Sequence, residues 1–79
     1  MEIISQVPGV FYRRPNPDSP RFVEEGQPVE DSTVVGLIEI MKNFYEVQAG
    51  MGGRLLRFMV KDGDVVDVGQ VLAEVEIEE

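Results

Sequence analysis

Val23-Glu24-Glu25-Gly26-Gln27-Pro28-Val29-Glu30 recurs 37 residues on as Val60-Lys61-Asp62-Gly63-Asp64-Val65-Val66-Asp67. The same offset lays Val34–Glu39 over Val71–Glu76. From Val23 to Glu39, five of 17 positions are identical: Val23, Gly26, Val29, Val34 and Glu39. Glu25/Asp62, Glu30/Asp67, Val35/Leu72 and Ile38/Val75 are conservative pairs. Strands broken by glycine turns match one another easily, so chance similarity is one explanation of the overlay. Internal duplication is the other. It predicts two similar β halves packed about a pseudo-two-fold axis, each covering the apolar face of its twin.

The rest of the chain reads the same way. Met1–Ser5, Val10–Tyr12, Val34–Ile40, Phe44–Val47, Leu55–Val60 and Val71–Ile77 are short runs of strand-forming residues. In the last, Val71, Ala73, Val75 and Ile77 alternate with Leu72, Glu74 and Glu76, the period of a half-buried strand. Pro8-Gly9, Glu25-Gly26, Ala49-Gly50, Gly52-Gly53, Asp62-Gly63 and Gly69 punctuate the runs as turns. Nowhere do apolar residues hold a 3.6-residue period. The expectation is an all-β sandwich or small barrel.

Composition bounds what such a domain does. Seventy-nine residues make one domain, 1–79, with a thin core. Asp plus Glu number 15 against 7 Lys plus Arg, a net charge of −8. That sign opposes a phosphate backbone or an anionic bilayer, so neither nucleic acid nor membrane is an expected partner. No apolar run nears the roughly 20 residues of a membrane span, and no signal-peptide pattern opens the chain. The absence of Cys suits a reducing, cytoplasmic compartment. With no His and no Cys, the commonest general base, nucleophile and metal ligands are missing. The 15 acidic residues are spread over turns and strand faces, the pattern of a solvated surface rather than a catalytic carboxylate pair. The chain reads as a part that other proteins act upon, not as an enzyme.

Two features break the symmetry of the halves. Gly9 to Gly26 spans 17 positions where Gly53 to Gly63 spans 10, so the first half holds seven extra residues. Arg14-Pro15-Asn16-Pro17-Asp18-Ser19-Pro20 is the expected insertion. Three prolines there cannot sit inside a sheet, because proline donates no ladder hydrogen bond, but they suit a stiff protruding loop. The second feature is the midpoint, Glu39-Ile40-Met41-Lys42-Asn43-Phe44. Strand-type residues on both sides leave room only for a tight hairpin with Met41 and Lys42 at its tip. A tip lysine commonly does no more than aid solubility. At the centre of a duplicated domain it is also an amine held out on a stiff support, reactive once another protein activates the electrophile.

These residues carry a resemblance. Over roughly residues 2–77 the chain resembles the biotinyl domains of the biotin carboxyl carrier proteins of acetyl-CoA carboxylase. Glu39-Ile40-Met41-Lys42 is similar to the family's Glu-Ala-Met-Lys, whose lysine carries biotin in amide linkage. Pro8–Arg13 looks like the segment entering the family's thumb loop, Arg14–Pro20 like the thumb itself, and Phe22–Val29 like the segment leaving it. Lipoyl domains share the fold but usually carry Asp-Lys-Ala at the tip and lack the thumb. This chain departs from the family at Ile40, where Ala is usual, at Asn43 and Phe44, where Met or Leu is more often found, and at Arg14, where a small hydroxyl residue is common.

The resemblance implies a flattened β-barrel or sandwich of two four-stranded antiparallel sheets with pseudo-two-fold symmetry, plus the protruding thumb. It implies a non-catalytic carrier with covalent biotin on Lys42. Glu39, Ile40, Met41 and Asn43 would surround the attachment point, with Arg14, Pro15, Asn16, Pro17, Asp18, Ser19 and Pro20 restraining the cofactor. The implied partners are a biotin protein ligase, a biotin carboxylase and a carboxyltransferase acting on an acyl-CoA, most simply acetyl-CoA in fatty acid synthesis. Other readings of the same residues are an unmodified interaction module and a carrier for lipoate or another biotin-dependent carboxylase or decarboxylase. The family's N-terminal region and Ala/Pro linker are not in this sequence, as expected of an excised domain or a naturally short carrier.

Overall fold

The computed structural model describes residues 1–77. Its strands are β1 (Glu2–Ile4), β2 (Gly9–Tyr12), β3 (Pro28–Val29), β4 (Val34–Ile40), β5 (Asn43–Gln48), β6 (Gly53–Phe58), β7 (Val65–Val66) and β8 (Val71–Ile77). Two four-stranded sheets form, in the orders β5-β4-β2-β7 and β1-β8-β6-β3, with every pairing antiparallel. Exchanging β1 with β5, β2 with β6, β3 with β7 and β4 with β8 converts one order into the other. The duplication is therefore built into the topology of the flattened sandwich. β3 and β7 are absent from the sequence reading because two residues display no period.

Hydrogen bonds repeat at the same offset. Four turns share one device: the side chain at the fourth position accepts the N–H of the first, while its own N–H returns to that residue's carbonyl. Gln27 does this to Glu24, and its counterpart Asp64 does it to Lys61. Thr33 does it to Glu30, and its counterpart Gln70 to Asp67. An amide, a carboxylate and a hydroxyl all serve, since the turn requires only an acceptor of suitable reach.

The core is two clusters related by the same exchange. One gathers Val23, Val29, Val35, Leu55, Ala73 and Val75, with Ile3 and Ala49. The other gathers Phe11, Ile38, Val60, Val66 and Leu72, with Val47 packed alongside. Alternation alone would turn Leu72 outward, yet Leu72, Ala73 and Val75 are all buried while Ile77 is exposed. The cause is a bulge: Ile3 pairs with Ala73 and Ile4 with Val71, leaving Leu72 unpaired and rotated into the second cluster. Val35 is skipped in the same way between Val34↔Gln48 and Gly36↔Val47, and it is buried in the first cluster. Ser5, the buried polar residue at the position equivalent to Ala49, donates its hydroxyl to the Val7 carbonyl.

The thumb insertion also resolves into parts. β6 contains a bulge at Leu56, between Leu55↔Val75 and Arg57↔Glu74, whereas β2 runs without one. Arg13 is thus the equivalent of Phe58. Nine residues then separate Arg13 from Val23, against the single Met59 between Phe58 and Val60. The insertion is eight residues, and the bulge hides one of them in the glycine spacing.

Candidate functional site

β4 and β5 form a hairpin whose last pair is Ile40↔Asn43, so Met41 and Lys42 alone make the turn. Both have positive φ, 49° and 68°. That is the pattern of a type I′ turn, whose twist matches that of the strands it joins, but it is normally built from Asn and Gly. Side-chain-bearing residues in this region cost about 1–2 kcal/mol each. The Asn43 side-chain amide braces the turn by donating to the Met41 carbonyl at 3.5 Å. Met41 is 89% exposed, and Lys42 is exposed with no hydrogen bond or ion pair among the described residues. Ile40 points the other way, half-buried against the cluster of Phe11 and Ile38. Gly9 makes room for it: a Cβ there would lie 3.0 Å from Ile40 Cγ1 and closer still to the Glu39 carbonyl. The bulky residue beside the tip is part of the hairpin's footing.

Below the tip, the outer face of this sheet carries a groove of about 590 Å³. One wall is Arg14, Pro15, Asn16 and Pro17; the floor is Tyr12, Glu39 and Phe44; Asp62 and Gly63 close the side. Phe44 is two residues from Lys42, roughly 7 Å along a strand. The Tyr12 hydroxyl donates to Glu39 Oε1 at 3.3 Å, and its ring meets that of Phe44 at 6.5 Å and 50°. Partial burial, reinforced by the Glu39 carboxylate, raises the Tyr12 phenol above its ordinary pKa, so at neutral pH it is a donor.

The thumb leaves the sheet at Tyr12, which pairs with Leu37. Its base therefore stands roughly 13 Å below the tip, four residues away along β4. The Phe22 N–H closes the loop on the Arg13 carbonyl at 2.9 Å. Within it, Asn16 forms an Asx turn, accepting the Asp18 N–H on its side chain and the Ser19 N–H on its carbonyl. Arg14 is half-buried, its Nε 3.6 Å from Asp62 Oδ2.

Apart from Ile40, which packs against the core, the expected residues fall into three groups. Met41, Lys42 and Asn43 make the apex. Glu39 and Arg14–Pro17 share the groove. Asp18, Ser19 and Pro20 form the thumb's outer bend and do not line it. Tyr12 and Asp62 were not among the residues expected from sequence. Tyr12 reads as one more strand former, and Asp62 as a turn residue; only the alignment of Asp62 with Glu25 hinted at a shared task.

A family described as "Biotin-requiring enzyme" matches residues 1–77. The biotin carboxyl carrier protein of acetyl-CoA carboxylase from Chlamydia pneumoniae is 46% identical over 70 residues, covering 89% of this chain and 42% of that protein. The protein of the same name from Pyropia yezoensis is 42% identical over 74 residues, covering 94% of this chain and 47% of its own length. The chain spans less than half the length of these relatives. Among solved structures, the Kluyveromyces lactis urea carboxylase superposes with a TM-score of 0.80 at 26% identity, over 96% of this chain and 6% of that one.

Proposed function

The chain belongs to the biotin-requiring (biotin/lipoyl) family, and on that premise we propose that it is a biotin carboxyl carrier domain with Lys42 as its attachment residue. The observation that carries the reading is the apex itself. Lys42 is one of two residues in a two-residue turn, exposed, unpaired among the described residues, and held in a backbone conformation that its own side chain disfavours. Strain of this kind persists where the surrounding structure imposes it, and it concentrates at functional sites.

The residues fit such a group. Amide formation needs an accessible amine, and Lys42 Nζ is the only lysine nitrogen at the apex; a separate ATP-dependent biotin protein ligase supplies the activated carboxyl. Bound biotin contributes a ureido nitrogen able to accept and release a carboxyl group. The chain's own residues do the positioning. Ile40 and Asn43 stiffen the apex, so only the lysyl arm swings. Tyr12, Phe44 and Pro15 offer apolar surface in a groove within the size range of small-ligand sites, with the Tyr12 hydroxyl and the Glu39 and Asp62 carboxylates as polar partners. Tethering replaces a diffusing cofactor by a high local concentration at each partner site. The partners proposed are a biotin carboxylase and a carboxyltransferase acting on acetyl-CoA. The domain makes and breaks no bond itself, and the compartment proposed is the cytoplasm.

Expression with a biotin protein ligase and intact-mass measurement tests this. Wild-type protein should gain one biotinyl group and Lys42→Ala none. Modification at Lys61, or streptavidin binding that survives Lys42→Ala, would overturn the assignment.

A further inference from the structure

Asp62 sits in the second half but works on the first. One carboxylate oxygen accepts the Arg13 N–H, and the other faces Arg14 Nε at 3.6 Å. Its counterpart Glu25 accepts the Phe58 N–H at 2.9 Å, and no cation pairs with it among the described residues. The duplicated core thus uses one oxygen of each acid. The second oxygen of Asp62 serves only the inserted loop. Arg14 is the first residue of that loop, and its Nε is shielded from water without a hydrogen-bond partner. At 3.6 Å the Asp62 carboxylate is too far to bond it but close enough to offset its charge. Arg14 and Asp62 both line the groove with Pro15 and Pro17. Beyond them, the loop is tied down by the Phe22–Arg13 bond and by the exposed Arg21–Glu24 ion pair, its other bonds among the described residues being internal.

We propose that Asp62 is the positioning residue of the groove: through Arg14 it sets the angle at which the thumb leaves the sheet, and so whether the group on Lys42 meets a formed wall. The clause about Lys42 rests on the carrier reading; the hold on the thumb does not.

Three variants separate the contributions. Asp62→Asn keeps an acceptor for the Arg13 N–H and removes the charge facing Arg14. Asp62→Ala removes both. Asp62→Glu restores the charge, and Glu25 shows that the longer acid can serve the backbone bond. In unmodified protein, Asp62→Asn should speed amide hydrogen exchange at Ser19 and Phe22 by about threefold, the worth of a part-exposed ion pair, with Val75 unchanged. Asp62→Ala should speed it further, and Asp62→Glu should bring it back towards wild type. In biotinylated protein, the biotin-dependent shifts of the Asn16 and Phe44 amide resonances should fall by at least half in Asp62→Asn. Exchange at Ser19 and Phe22 equal to wild type in Asp62→Asn would overturn the proposal. So would equal loss of protection at Val75, or undiminished biotin-dependent shifts. Should wild type gain no biotin mass, the carrier reading fails while the exchange data still judge the hold on the thumb.

Discussion

Arg13 and Phe58 occupy equivalent positions in the two halves and touch each other, the guanidinium carbon 4.0 Å from the ring centroid. Equivalent residues can meet only near the pseudo-two-fold axis, so this contact marks where the halves join. It is also where the thumb begins. Arg13 adds a long bond to the Val23 carbonyl at 3.5 Å, and burial lowers its guanidinium below the ordinary arginine value while leaving it charged. Arg13→Met keeps the stem and removes the cation. It should cost about 1 kcal/mol, the worth of a partly shielded cation–π contact. A double-mutant cycle with Phe58→Leu should recover a coupling of that size, and additive costs would show that the two residues merely lie close.

Phe11 and Gly36 form a second unit. A Cβ on Gly36 would lie 2.6 Å from Phe11 Cε1 and 2.9 Å from the Tyr12 carbonyl. The equivalent pair in the other half is Leu55 with Ala73, a smaller side chain facing a residue that carries a methyl group. Gly36→Ala alone should overpack the site and cost about 1–3 kcal/mol. Phe11→Leu alone should leave a void and cost about 1 kcal/mol or more. Together they rebuild the second half's pair, so the double variant should be more stable than the sum of the two costs predicts. Denaturant unfolding of all four proteins checks this.

At the apex, Met41→Ala should change stability by about 0.5 kcal/mol or less, since so exposed a side chain buries little. Met41→Gly should instead stabilise by about 1 kcal/mol, because glycine adopts the positive φ at no steric cost. In a domain of this size that is a rise in Tm of roughly 4–8 °C. A fall in Tm for Met41→Gly would mean that the side chain has a packing role.

The pH response should include Glu74. Its carboxylate accepts from Arg57 Nε at 2.7 Å, and that bond holds its pKa below the ordinary glutamate value and raises that of Arg57. A depressed carboxylate contributes stability that is present above its unfolded pKa and disappears as pH falls through the folded one. Stability should therefore decline on acidification below the ordinary glutamate range. Glu74→Gln should flatten part of that decline, while leaving the neutral-pH Tm nearly unchanged because the pair is largely exposed. Equal acid slopes in the two proteins would remove Glu74 from the account.

Local information was enough for much of this protein. The run of strand formers between glycine turns, the 37-residue overlay and the lack of room for a loop at Met41-Lys42 are properties of neighbours in the chain, so duplication, all-β class, apex and insertion are legible in sequence. Tertiary structure decided what depends on pairing register between distant residues. Leu72 and Val35 turn inward because their strands bulge, and the bulge at Leu56 conceals one residue of the eight-residue insertion. The Asp62 carboxylate reaches Arg13, 49 positions away, because β2 lies beside β7. The groove joins Tyr12, Glu39 and Phe44 across three strands. A bulge costs one ladder bond and re-aims one side chain; no periodicity announces it, because the register it breaks exists only once the strands have paired.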